Sequence, residues 1–168
     1  MKVFLGPGAT GGVASLRPYI SGLKARGLEA HAVELPLGNA ERAVPAFVRQ
    51  SGSGRDVVIG GRSYGGRVAS LAAAAEENEF AGLLLFAYPL HRPGSNEART
   101  EHWRRIKCPV LIVQGDRDPF GSPDEIRREA ERLRSAQVVV LTGSGHRLKE
   151  RLDEALDAAA DWLGRLPG

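Results

Sequence analysis

The sequence predicts an α/β protein: a three-layer sandwich in which a six-stranded, mainly parallel sheet carries helices on both faces. Three observations lead there. Short apolar runs alternate with longer amphipathic ones along the whole chain. The runs Val57-Val58-Ile59, Leu83-Leu84-Leu85-Phe86 and Val110-Leu111-Ile112-Val113 are continuously apolar, as strands buried on both faces are. Gly and Pro fall mainly between these segments, where turns are needed. The chain has 168 residues, a length at which one core suffices, so 1–168 reads as a single domain.

Element by element, 2–5 is a strand stopped by Gly6-Pro7-Gly8, and 13–26 is a helix. Residues 28–35 alternate and read as a strand at the sheet edge. A helix over 40–50 contains Pro45, which argues for a break or an early turn. Ser51-Gly52-Ser53-Gly54 is a loop, 56–60 a buried strand and 65–78 an Ala-rich helix. A strand at 82–87 leads into a loop over 88–99 with two prolines, then a helical turn at 101–106. Strand 109–114 is followed by a helix over 124–134, with Ser122 as N-cap and Pro123 in its first turn. Strand 137–141 and an amphipathic helix over 149–163 close the chain. Trp103 and Trp162 read as core anchors.

Composition excludes several classes. Apolar residues are 42% and charged residues 26%, ordinary for a globular protein. The net charge is +3, but acids and bases interleave, as in Arg127-Arg128-Glu129-Ala130-Glu131-Arg132, a solvated helix face. With aromatics at 6% and no basic block, nucleic acid is not expected as a partner. No apolar run approaches the ~20 residues of a membrane span. The N-terminal apolar stretch is shorter than the roughly 7–15 residues of a secretion signal. The lone Cys108 reads as core and suits a reducing compartment. The expectation is a cytoplasmic protein without membrane association.

Ligands of parallel sheets lie beyond the carboxyl ends of the strands, and three turns there are unusual. Gly6-Pro7-Gly8-Ala9-Thr10-Gly11-Gly12 has the form G-x-G-x-x-G, with the acidic Glu34 at the end of the next strand, the pattern of a dinucleotide site. The same glycines also suit a tight turn, or one that aims N–H groups at an oxyanion. Gly61-Arg62-Ser63-Tyr64-Gly65 is G-x-S-x-G between a buried strand and a small-residue helix, the setting of a strained, exposed nucleophile. Two later strands end in Gly115-Asp116-Arg117-Asp118 and Gly143-Ser144-Gly145-His146. A serine needs a base, and the base needs an acid to orient it. Ser63, then Asp116 or Asp118, then His146, each after a successive strand, supplies all three.

These residues resemble the α/β-hydrolase superfamily, and most closely a small family related to the dienelactone hydrolases that includes a testis-expressed protein and a chromatin-complex subunit. The resemblance rests on 60–67, on Tyr88-Pro89-Leu90-His91-Arg92-Pro93-Gly94, on Arg99-Thr100-Glu101-His102 and on 113–121. It implies a nucleophile Ser63, a base His146 and, through the family's Gly-x-x-Asp, an acid Asp118, leaving Asp116 as a turn residue bonding its own backbone. It also implies an oxyanion hole from the Ala9 and Tyr64 amides, Pro7 standing where relatives carry a polar residue. The fold would be that of the family without its first two strands. The edge strand 28–35 would leave unpaired backbone for a homodimer.

The expected activity is hydrolysis of a small carboxylic ester or thioester, with no metal and no organic cofactor. Arg62, His91 and Arg92 would flank the substrate, the arginines favouring an anionic one. Two alternatives stand beside this reading: a non-catalytic binding or scaffold protein on the same fold, and a Rossmann-type nucleotide-binding protein using Gly6–Gly12. No Tyr-x-x-x-Lys pair supports the latter as a reductase: Tyr19, Tyr64 and Tyr88 are followed four residues on by Leu23, Val68 and Arg92.

Overall fold

A computed structural model describes residues 1–168. Six strands, β1 (Lys2–Gly6), β2 (Glu29–Ala32), β3 (Gly54–Arg62), β4 (Phe80–Phe86), β5 (Val110–Gly115) and β6 (Ala136–Leu141), form one sheet in the order β2-β1-β3-β4-β5-β6. Every neighbouring pair is parallel, so the expected "mainly parallel" sheet is parallel throughout. The chain winds outward from β1 to β2 and then in the opposite direction from β3 to β6. The carboxyl ends of β1 and β3 meet side by side, with Gly6 in register with Gly61. That reversal of winding is where such sheets open a crevice.

Five α-helices cover the sheet: α1 (Arg17–Ala25), α2 (Ala40–Ser51), α3 (Tyr64–Ala74), α4 (Pro123–Ala130) and α5 (Leu152–Gly164). Strand residues alternate between two buried layers. Ile59, Leu83, Leu85 and Ile112 pack with Phe47 of α2, Val68 and Ala72 of α3 and Ile126 of α4. Val58, Leu84 and Leu111 pack with Tyr19 and Leu23 of α1 and Leu156 and Trp162 of α5. Both faces are apolar, which explains why the central strands carry no polar alternation. Trp103 is fully buried and meets Tyr88 edge-on.

Several boundaries differ from those the sequence suggests. β2 has four residues, not the eight of 28–35. The Val33 amide makes one more bond, to the Leu5 carbonyl at 2.9 Å, before Pro36, which has no N–H to offer. Pro45 does not break α2; buried Ala43 and Phe47 on either side hold that helix to the core, and Asn39 caps its first turn. A 3₁₀ turn, Gly12–Leu16, occupies what reads as the start of the first helix, and α1 begins only at Arg17. α3 stops at Ala74 and α4 at Ala130, each four residues early. At α4 the expected Ser122 cap is present as a capping box with Glu125. No helix is long and apolar enough to cross a membrane.

Candidate active site

Ser63 joins β3 to α3 with φ 50° and ψ −117°, a left-handed backbone that a non-glycine residue adopts at a cost of about 1–3 kcal/mol. Its amide is pinned to the Phe86 carbonyl (2.9 Å) and its carbonyl accepts from Arg67 (3.0 Å). The flanking glycines are dictated by crowding. A Cβ on Gly61 would lie 2.6 Å from the Gly6 carbonyl oxygen, and one on Gly65 only 2.0 Å from it. The first turn and the serine turn therefore interlock through bare backbone.

His146 approaches from the loop after β6. Its Nε2 lies 2.8 Å from Ser63 Oγ and its Nδ1 2.7 Å from Asp118 Oδ2. The Asp118 side chain is fully buried, while that of His146 keeps 19% of its surface exposed. The geometry thus brings together the three residues on which the sequence reading rests. Gly115 makes this possible, because a Cβ there would lie 2.3 Å from the Ser144 carbonyl oxygen of the histidine loop. The Phe120 ring leans on the imidazole, centroids 4.6 Å apart.

Two supporting residues escaped the sequence reading. Gln114, fully buried at the end of β5, donates through Nε2 to Asp118 Oδ2 (3.2 Å) and to the Gly121 carbonyl (3.0 Å), and its Oε1 accepts from the Tyr88 amide (3.0 Å). The Phe120 amide completes the shell, donating to Asp118 Oδ1 at 2.8 Å. The signal for Gln114 was present: one amide ending an otherwise apolar strand. Asp116 does not bond its own turn. Its Oδ1 accepts from the Gly143 amide at 2.8 Å, tying the aspartate loop to the histidine loop.

The first turn lies beside the serine. Pro7 and Gly8 are buried and Ala9 is exposed, its N–H making no backbone hydrogen bond. Tyr64 begins α3, and its hydroxyl donates to the Pro36 carbonyl. A cleft of about 390 Å³ runs past Pro7, Ala9, Val13, Leu35, Leu37 and Tyr64. Two of the protein's three exposed large apolar side chains, Val13 and Leu37, sit in its wall. Glu34 also lines it. The last glycine of the G-x-G-x-x-G pattern, Gly11, caps a five-residue 3₁₀ helix, Gly12–Leu16, and the α-helix begins only at Arg17.

The flanking residues separate. Arg62 is half-buried, with Nη1 held against Gly8. Arg92 is exposed in a cleft shared with Tyr64, Arg67, Arg99 and Glu41. His91 turns toward Glu125 (3.7 Å), and its amide bonds the Phe120 carbonyl (3.2 Å). A second serine–histidine contact, Ser70 Oγ to His102 Nε2 at 2.8 Å, lies behind α3. Ser70 is wholly buried and donates to the Arg67 carbonyl, so no substrate carbonyl reaches it. Burial and the Arg67 and Arg105 charges lower the His102 pKa to about 4. Cys108 is half-buried at the start of β5, and burial raises its thiol to about 11.

Known proteins resemble this chain in sequence and in fold. Residues 34–163 match the family model described as an alpha/beta hydrolase domain, a stretch that contains Ser63, Asp118 and His146. A rat protein described as "Putative protein-lysine deacylase ABHD14B" is 28% identical over 134 residues, 71% of this chain; the match spans 61% of that protein's length. Among solved structures, Est1E from Butyrivibrio proteoclasticus with ferulic acid bound aligns with a TM-score of 0.80 at 16% identity, covering 99% of this chain and 89% of that one. The monoacylglycerol lipase of Paleococcus ferrophilus aligns at 0.79 and 16%, covering 96% and 93%. These structural likenesses are likenesses of fold. The family match covers most of the sequence, and the chain belongs to the alpha/beta hydrolase family.

Proposed function

We propose that this protein is a serine hydrolase of small carboxylic esters or thioesters. The observation that carries the proposal is the continuous contact from Ser63 through His146 to Asp118, at 2.8 and 2.7 Å. Asp118 accepts a hydrogen bond from Nδ1–H, which leaves Nε2 free to take the proton of Ser63 Oγ as it attacks the carbonyl carbon. The tetrahedral oxyanion is received by the Ala9 and Tyr64 amides, a pair of the kind worth about 3–4 kcal/mol to the transition state. The imidazolium then protonates the leaving alcohol or thiol. Water, deprotonated by the same nitrogen, splits the acyl-enzyme and restores the serine.

Within the family, the motifs at 88–94 and 113–121 favour the branch related to the dienelactone hydrolases; the rat relative stands on a different one. The lone cysteine and the absence of a membrane-crossing helix are compatible with a cytoplasmic protein. The loop Tyr88–Arg99 is short for a lid, which suits a small or exposed substrate.

The test is fluorophosphonate labelling, followed by a panel of p-nitrophenyl esters of increasing chain length, an acyl thioester and an acyl-lysine peptide. The proposal expects a single label on Ser63 and turnover of short-chain esters. A native protein that takes no label at Ser63 would instead be a scaffold on a hydrolase fold.

A further inference from the structure

Beside the proposed nucleophile lies a second pocket, about 310 Å³, whose walls include Thr10, Ser15, Tyr19, Arg62, Arg147 and Lys149. Arg62 immediately precedes Ser63 and Arg147 immediately follows His146 in the chain, so the pocket is built on the two turns that carry the reacting side chains, although neither Ser63 nor His146 itself lines it. No Asp or Glu lines it. None of its three cations takes part in any of the protein's ion pairs, which lie elsewhere. By contrast, the cleft that holds Arg92 contains Glu41 and pairs it with Arg67 at 3.3 Å.

Of the three cations Arg62 is held in place, while Arg147 and Lys149 are exposed at the pocket's rim. The Arg62 guanidinium rests against Gly8, where a Cβ would come within 2.6 Å of Nη1. The Tyr19 hydroxyl donates to the Arg147 carbonyl at 3.2 Å and so fixes the backbone of the histidine loop against α1. Gly11 lines both this pocket and the apolar cleft, so the first turn separates one from the other.

We propose that this pocket binds an anionic group, a carboxylate or a phosphate, of the substrate, while the apolar cleft takes its other half. Convergent guanidinium and ammonium groups without protein carboxylates are the chemistry that recognises such oxyanions. The inference rests on the hydrolase reading, since it names the substrate class of that site. It moves the anion-binding role from Arg62 and Arg92 to Arg62, Arg147 and Lys149.

Two measurements test it separately from hydrolysis itself. The first compares matched ester pairs: 4-acetoxybenzoate against its methyl ester, which places the anion in the leaving group, and p-nitrophenyl succinate against p-nitrophenyl valerate, which places it in the acyl group. For one pair, the anionic-to-neutral ratio of kcat/KM is expected to fall about tenfold in the Arg62→Gln/Arg147→Gln/Lys149→Gln variant. The second follows the arginine side-chain NMR signals of the unmodified protein during titration with inorganic phosphate and with succinate. Saturable shifts of Arg62 and Arg147, not shared by the exposed Arg92 and weakened in Lys149→Gln, support the pocket even if no ester is turned over, an outcome that would count against the hydrolase reading alone. Ester turnover with unchanged ratios for both pairs and no saturable shift overturns the pocket and leaves the hydrolase reading standing.

Discussion

The carbonyl oxygen of Gly6 and the α-carbon of Gly65 stand so close that a methyl group on Gly65 would lie 2.0 Å from that oxygen. Backbone thus meets backbone where the end of β1 passes the first turn of α3, and this contact fixes the serine turn against the turn proposed to hold the oxyanion. Gly65→Ala is expected to cost about 3 kcal/mol or more, because the obstructing atoms are main chain and cannot rotate away. Gly145→Ala, where nothing lies within 4 Å of the added carbon, should change stability by less than about 0.5 kcal/mol. Denaturant midpoints of the two variants check this; similar values for both would contradict it.

Gln114 ties Asp118 to the Tyr88 backbone. In Gln114→Leu the buried Tyr88 amide loses its partner and the carboxylate loses a donor, so a destabilisation of about 2–3 kcal/mol is expected. On the proposed mechanism kcat should fall more than KM changes, since the loss is in how the imidazole is aimed rather than in how substrate binds. Steady-state kinetics alongside thermal melts measure both effects.

Asp116 makes its contribution across 27 residues, through the Gly143 amide. Replacing it by Ala should loosen the histidine loop and lower kcat by about tenfold, at a stability cost of about 1 kcal/mol. Asp116→Asn keeps the acceptor oxygen and should recover most of the rate. If the Asn and Ala variants behaved alike, the negative charge of Asp116 and not its hydrogen bond would be what matters.

His102 gives the fold an acid-sensitive element. Its folded pKa of about 4 lies below the ordinary 6.5. Between those values the unfolded chain takes up a proton that the folded protein refuses, so stability rises with pH. The contribution is complete above about pH 6.5 and is lost as the pH falls toward 4, on the order of 3 kcal/mol in all. Urea unfolding between pH 4 and 7 should show this slope in the parent and a shallower one in His102→Gln. Equal slopes would refute the assignment.

The parts of this molecule legible in the sequence are those encoded locally. Val57-Val58-Ile59 and Leu83-Leu84-Leu85 announce strands covered on both sides, because each residue fills one of two apolar layers. Ser63, His146 and the pair Asp116 and Asp118 could be picked out because each lies in the turn that follows its strand, and the family resemblance chose Asp118 from the pair. The supports could not. Asp116 reads as a turn former until the Gly143 amide is seen above it, and Gln114 reads as the end of a strand until the carboxylate appears beside it. Tertiary packing overrode Pro45, whose helix is kept by Ala43 and Phe47. The glycines of the G-x-G-x-x-G pattern have a packing reason of their own: Gly6 is bare to admit Gly65, and the chain beyond Gly11 runs as a 3₁₀ helix before α1 begins. Arg147 and Lys149 gave no sign of facing Arg62, since only the fold brings the two turns together.

The most direct measurement is p-nitrophenyl acetate turnover by the parent and by Ser63→Ala, with thermal melts to show that both are folded. Two superimposable melts are expected, with a rate that drops about a thousandfold or more, to near the spontaneous background. A folded alanine variant that hydrolyses the ester as fast as its parent would contradict the hydrolase reading.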